Sequence, residues 1–218
     1  MTRMLWALLA LIVAVGAVFA IWPGLDLTVS REIFDRMGFI GGDARARIGR
    51  QFFSILPFVV FGVLAASYLA RRLGLWAPFA PTGRAVLFLT ATLAIGPGLI
   101  VNLGLKDHMH RPRPVHVTEF GGAKAFRPWY RFDGACAKNC GFPSGEASSG
   151  FWMVAPALLA PPPLQAPAIA AALAFGVGAS ALRMAFGAHF LSDVLFGALI
   201  SLIVIFTARR ILWPRGGP

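Results

Sequence analysis

Long uncharged apolar runs, separated by charged stretches, organise this chain. Residues 4–25, 51–70 and 85–105 contain no Asp, Glu, Lys or Arg. Each is about 20 residues long, the length a helix needs to cross the hydrocarbon core of a bilayer. Residues 147–182 are uncharged for 36 positions and are interrupted by Pro161, Pro162 and Pro163. That length fits two spans joined by a tight proline-rich turn. A last run, Phe190 to Thr207, holds one acid, Asp193, near its start. The pattern predicts an all-α polytopic membrane protein with six transmembrane helices in one bundle, at about 4–22, 51–70, 85–105, 146–160, 167–186 and 190–208. Residues 1–218 are expected to form a single domain. The first run follows Arg3 and has some character of a secretory signal. Its apolar stretch is longer than a usual signal core, and no small-x-small cleavage site clearly follows, so it reads as a span.

Composition supports the same class. Of 218 residues, 57% are hydrophobic and 13% charged, against about 25% charged in a soluble domain. Mean hydropathy is +0.71. No separate soluble domain fits inside such a chain, and neither a cofactor nor a nucleic-acid partner is expected.

Charge sets the orientation. Six spans put both termini on one side, with Arg3, Arg71, Arg72, Arg84, Arg209, Arg210 and Arg215. The positive-inside rule makes that side cytoplasmic. The 23–50 loop, the 106–145 loop and the turn at His189 then face outward. These outer loops are basic too, carrying Arg31, Arg36, Arg45, Arg47, Arg50, Lys106, Arg111, Arg113, Lys124, Arg127, Arg131 and Lys138. That runs against the rule and fits a surface that attracts anions such as lipid phosphates. Most of these cations also read simply as solvated loop charges. Residues 26–50 mix Leu27, Val29, Ile33, Phe34, Met37 and Phe39 with charges, which predicts an amphipathic helix lying in the interface. Cys136 and Cys140, the only cysteines, fall in the long outer loop. A small-loop disulfide suits that compartment and free thiols remain an alternative; two ligands do not make a zinc site. The 106–145 loop is rich in Gly, Pro and aromatics, as expected of a lid or an interfacial cover.

Polar groups where a span meets water are costly unless solvated or paired, so their clusters are site candidates. Lys106 and Arg113 sit at the outer end of the third span, and Pro114 fixes the turn behind Arg113. Ser144 after Pro143 is a good N-cap, and Gly145 permits close approach, so the fourth helix would aim free amides at an anion. A plain helix start, with Glu146 favourable to the dipole, explains the same residues. Arg183 ends the 36-residue uncharged stretch and needs an anion, either a phosphate or the outer headgroups. His189 and Asp193 are four apart and can hydrogen-bond if the last helix begins at or before His189. The free ring nitrogen is then a nucleophile or base. The alternative is that Ser192 and Asp193 cap that helix and His189 is an ordinary interfacial residue.

The sequence Lys106-x6-Arg113-Pro114, then Pro143-Ser144-Gly145, then Arg183-x5-His189-x3-Asp193 resembles the type 2 phosphatidic acid phosphatase superfamily over roughly residues 50–210. The resemblance implies a metal-independent phosphohydrolase of the membrane lipid branch. In it His189 attacks phosphorus to form a phosphohistidine and Asp193 orients the imidazole. Lys106, Arg113 and Arg183 hold the phosphate with Ser144 and the amide of Gly145. The substrate class it implies is a lipid phosphate: lipid A 1-phosphate, undecaprenyl diphosphate, phosphatidylglycerol phosphate or phosphatidic acid. The Cys-x3-Cys spacing before Ser-Gly-Glu is similar to a bacterial subgroup acting on lipid A or related envelope lipids.

One position departs. The family carries its general-acid His directly after Ser-Gly, where this chain has Glu146. Three accounts stand open. Glu146 acts as the acid–base residue, with a pKa lifted from the ordinary value of about 4.3. A phosphate or diphosphate leaving group needs little protonation. Or His108 or His110, inside the first motif, supplies the imidazole. Two other functions stay in competition. One is a phosphotransferase in which a lipid hydroxyl replaces water. The other is a non-catalytic phospholipid binder, which the retained His189–Asp193 pair argues against.

Overall fold

The computed structural model describes residues 2–35 and 38–214, and its architecture is a helical bundle. Arg36, Met37 and Arg215 lie outside the described residues. Helix α1 (Thr2–Ile21) leads into the short α2 (Gly24–Arg31). A two-stranded antiparallel hairpin follows, pairing Phe34 with Phe39, and a 3-10 turn (Ile40–Gly42) leads to α3 (Ala44–Arg72). Helix α4 (Gly83–Leu93) continues directly as a π-helix, Ala94–Leu105. After the long loop come α5 (Gly145–Trp152), α6 (Val154–Ala157), α7 (Pro162–Ala185) and α8 (Leu191–Leu212).

Among the described residues, five helices are long and apolar enough to cross a membrane: α1, α3, α4 with its π continuation, α7 and α8. The expected span at 146–160 takes a different form. It is broken at Met153 into α5 and α6, together about 20 Å long by helical rise. This short rod is the centre of the bundle, packed against α3, α7, α8 and the π-helix. Being buried on nearly all sides, it needs no long lipid-facing stripe. Small and polar residues let its neighbours approach. Ser201 Oγ donates to the Ser148 carbonyl at 2.8 Å and shares a 2.6 Å bond with Ser148 Oγ, while Trp152 Nε1 donates to Thr92 Oγ1 at 3.0 Å. A Cβ at Gly197 of α8 would stand 2.5 Å from the Ser144 carbonyl oxygen, so the absence of a side chain there lets α8 touch the start of α5.

The segment 26–50 corrects a second expectation. It is not one interfacial helix but α2, the hairpin, the 3-10 turn and the first two turns of α3. Asp43 caps α3, accepting the Ala46 amide at 2.6 Å, and so starts that helix well before the apolar run at 51. At 29 residues α3 is about 44 Å long, more than the roughly 30 Å hydrocarbon core. The excess carries Arg50 up to the level of the site.

The π-helix follows from Gly96-Pro97-Gly98. Pro97 has no amide hydrogen for a four-residue bond, and the wider i→i−5 pattern reaches the end of the span, where the Lys106 amide donates to Val101 at 3.0 Å. One end of the bundle thus gathers Lys106, the N-termini of α3, α5 and α8, and the C-terminus of α7. Arg71, Arg72, Arg84, Arg209 and Arg210 occupy the other end.

Candidate functional site

His189 lies in the turn between α7 and α8. Gly187 opens the turn at φ +61°, a left-handed conformation that suits glycine. Its carbonyl accepts the Val115 amide at 2.9 Å and so ties the turn to the first motif. His189 is 1% exposed, and its Nδ1 is 2.6 Å from the Gly141 carbonyl. A carbonyl only accepts, so Nδ1 carries the proton and Nε2 keeps a lone pair. Burial, then the positive charges of Lys106, Arg183 and Arg113, push the imidazole well below its ordinary value. The ring is therefore neutral at neutral pH.

The expected His189–Asp193 hydrogen bond gives way to a longer contact. Nδ1 is 3.7 Å from Asp193 Oδ2. Helix α8 begins at Leu191, two residues after His189, so the pair does not have the helical i,i+4 geometry. Asp193 Oδ2 instead accepts the Phe190 amide at 2.8 Å, and Oδ1 binds Arg111 Nη1. Asp193 is thus a helix cap and an ion-pair partner at once.

Arg111, 0% exposed, is the hub behind the turn. Nη1 also donates to Ser192 Oγ at 2.8 Å, Nη2 to Asp26 Oδ2 at 2.7 Å, and Nε to the Arg127 carbonyl at 2.8 Å. Asp26, from α2, accepts the Ser192 amide at 2.9 Å and the Ser192 hydroxyl at 2.6 Å. The guanidinium stacks over the Phe190 ring, 4.6 Å from its centroid.

The three cations of the motifs are neighbours. Burial first, then Arg113 and Arg183, lower Lys106 to about 8. Arg113 is aimed by the Asn139 carbonyl, which accepts its Nη2 at 2.8 Å and its Nε at 3.2 Å. Arg183 is 5% exposed, and its Nε lacks a hydrogen-bond partner, with Glu146 Oε2 at 3.3 Å. Ser144 accepts the Ala147 amide at 3.3 Å as the cap of α5, leaving its hydroxyl hydrogen to donate. Glu146 is held between two guanidiniums. Its Oε1 accepts from Arg50 Nε at 3.2 Å and Nη2 at 3.1 Å, and its Oε2 faces Arg183.

Cys136 and Cys140 are bonded to each other. The loop they close and the residue after it present three carbonyls to the motifs: Cys136 to His110 Nδ1 at 2.9 Å, Asn139 to Arg113, and Gly141, next to Cys140, to His189. The His110 ring is therefore committed to the loop, and His108 is exposed at the surface.

A groove of about 330 Å³ reaches Lys106. Lys106, Gly145 and Glu146 line one part of it, and Phe58, Leu93, Pro97 and Gly98, from membrane-crossing helices, line another. Ser54, Asn102 and Ser149 add polar groups. A head bearing a phosphate and an apolar tail can both be accommodated along such a surface.

Sequence reading did not single out Asp26, Arg50, Arg111, Asn139 or Gly141 as parts of the site. Two signals were present: the doubled Arg-Pro of Arg111 to Pro114, and an acid, Asp26, directly after an apolar run of 22 residues (4–25).

Fold and site together define a polytopic α-helical membrane protein with a buried neutral imidazole within electrostatic reach of Lys106, Arg183 and Arg113, an arrangement suited to accepting a phosphoryl group. The chain belongs to the PAP2 superfamily, whose model matches residues 84–216. Three curated relatives are similar over most of their length, and each is named a lipid A 4'-phosphatase. That of Francisella tularensis subsp. novicida is 37% identical over 182 residues, covering 82% of this chain and 82% of the relative. That of Rhizobium leguminosarum is 36% identical over 221 residues, covering 92% and 90%. That of Rhizobium etli is 36% identical over 219 residues, covering 91% and 80%. No solved structure matches the chain.

Proposed function

We propose that this membrane lipid phosphatase removes the 4'-phosphate of lipid A, or of a lipid of that chemistry, at the periplasmic face of a bacterial inner membrane. The observation that carries the mechanism is the Nδ1–H of His189 bound to the Gly141 carbonyl, which leaves Nε2 as the nucleophile. The relatives' names supply the choice of lipid A. The placement rests on the arginines at the end opposite the site and on a disulfide loop at the site itself, which suits an oxidising compartment.

In the reaction, Lys106, Arg113 and Arg183 take the phosphoryl oxygens with the Ser144 hydroxyl and the Gly145 amide. Nε2 attacks phosphorus in line as the bond to the sugar oxygen breaks. Arg113 and Arg183 offset the charge that spreads over the equatorial oxygens. Water then attacks the phosphohistidine, releases inorganic phosphate and restores the ring. The leaving oxygen needs a proton. Glu146 is engaged by Arg50 through hydrogen bonds and by Arg183 through an ion pair, and the titratable donor lining the groove beside it is Lys106. Glu146 serves here to hold Arg183 in place.

The test is phosphate release by the purified protein from bis-phosphorylated lipid A, with undecaprenyl diphosphate, phosphatidylglycerol phosphate and phosphatidic acid as a panel. Mass spectrometry locates the phosphate lost. The proposal expects release at the 4' position, an acid-labile phosphoenzyme, and loss of both in His189→Gln. Full activity in His189→Gln sinks the mechanism. Selective loss from another lipid sinks the substrate, and transfer to an added lipid alcohol in place of water converts the reading to a phosphotransferase.

A further inference from the structure

We infer that Arg111, with Asp26 as its buried counter-charge, is the positioning residue that fixes the nucleophile turn from both sides. The inference rests on His189 being the reacting group. Asp26 lies outside the residues matched by the family model, on the short helix α2.

Two sets of contacts converge on His189, and Arg111 belongs to both. On one side its side chain clamps the start of α8, through Asp193 and the Ser192 hydroxyl. Asp193 in turn caps the Phe190 amide, next in sequence to His189. On the other side the Arg111 carbonyl accepts the Gly141 amide at 2.8 Å. The Gly141 carbonyl is the group that accepts the hydrogen bond from His189 Nδ1–H. The main chain of Arg111 thus sets the acceptor, and its side chain sets the turn that carries the ring.

Asp26 makes this arrangement possible. A guanidinium and two carboxylates are wholly withdrawn from water here, and buried charges persist only when paired and hydrogen-bonded. Arg111 stands between Asp26 and Asp193, and both acids lie at the N-terminus of α8, where the helix dipole favours negative charge. Asp26 also fills the Ser192 amide and hydroxyl. Through these bonds α2 is anchored to the turn that carries His189.

The experiment pairs kinetics with the state of the ring. The chain has four histidines, so 15N-histidine labelling gives few signals, and His189→Gln assigns the one of interest. Wild-type protein is expected to show a single Nδ1–H tautomer. In Asp26→Asn and Arg111→Lys the ring is expected to sample both tautomers. In the same variants kcat falls about 100-fold, while KM and inhibition by inorganic phosphate stay within about threefold. Ser192→Ala, which removes one hydroxyl, gives the same pattern at about tenfold. If Asp26→Asn and Arg111→Lys do not fold, Ser192→Ala decides alone.

Ring signals and kcat unchanged in the variants that fold overturn the inference. So does a fall in kcat that merely tracks an equal loss of phosphate affinity and of thermal stability. A wild-type protein that releases no phosphate from any lipid strikes the functional reading; the tautomers of the His189 ring in the variants then still decide whether Arg111 and Asp26 fix the turn.

Discussion

His189 gives its Nδ1 proton to the carbonyl of Gly141 at 2.6 Å, while the carboxylate of Asp193 stands 3.7 Å away. A neutral main-chain acceptor therefore sets the tautomer, and Asp193 supplies negative charge at one remove. In the proposed reaction, that charge and the fixed hydrogen bond would together stabilise the positive charge a phosphohistidine places on the ring. The geometry also makes the disulfide loop part of the site, because Gly141 directly follows Cys140.

The alkaline side of the activity profile should report Lys106. In the folded protein this lysine keeps its proton only below about 8. Activity that needs the ammonium is full below that pH and falls above it. Lys106→Arg, whose guanidinium stays charged, should move the fall to higher pH. Its kcat loss should be larger for a sugar phosphate than for an aryl phosphate with a good leaving group. Stability moves the other way. Between about 8 and the ordinary lysine value the unfolded chain binds a proton that the folded one does not, so this contribution raises stability with pH. A pH series of kcat/KM, beside unfolding midpoints, checks both signs.

Glu146→Gln separates a proton donor from a counter-charge. Loss of a general acid lowers kcat by about 10²–10⁴-fold. The double ion pair with Arg50 and Arg183 predicts less, a kcat within about tenfold of wild type, because the amide keeps the shape and one acceptor oxygen. Steady-state kinetics on the preferred lipid decides it; a thousandfold loss would return Glu146 to the role of acid.

Opening the Cys136–Cys140 loop should slow catalysis and leave the bundle folded. The loop aims Arg113 through Asn139 and His189 through Gly141, yet it contributes little to the helical core. Cys136→Ser/Cys140→Ser is expected to lower kcat by about tenfold or more, since small misplacements of reacting groups are costly. Dithiothreitol should do the same to the wild type and nothing further to the variant. Equal activity with and without reductant contradicts the assignment.

Gly197→Ala tests the contact that seats α5. The new methyl would meet backbone on the other side, the Ser144 carbonyl at 2.5 Å and the Ser148 amide nitrogen at 3.4 Å, and backbone cannot rotate away. Overpacking of this kind costs about 1–3 kcal/mol. The unfolding midpoint in detergent should drop, and kcat with it, since Ser144 and Gly145 ride on the same turn. A midpoint equal to wild type would show that α5 is free to shift.

Much of this was legible in the chain because a bilayer is an unforgiving solvent. Charge-free runs located the crossing helices at α1, α3, α4, α7 and α8, since backbone in hydrocarbon has little choice but to be helical. Lys106 and Arg183 were legible for the same reason: a cation closing a long apolar run must sit at a boundary and face an anion. Ser144 as a cap is local chemistry, and local chemistry shows in sequence. Pairings between distant segments do not. That α5 is a short buried rod, that Glu146 meets Arg50 from 96 residues away, and that Asp26 and Arg111 stand behind Asp193 depend on how the helices pack. Residue types and spacing thus determined the membrane-embedded helices and the cations at their boundary. Only the tertiary structure decided which oxygen accepts the His189 N–H, because hydrogen bonds are directional at a scale of tenths of an ångström that spacing along a chain does not encode.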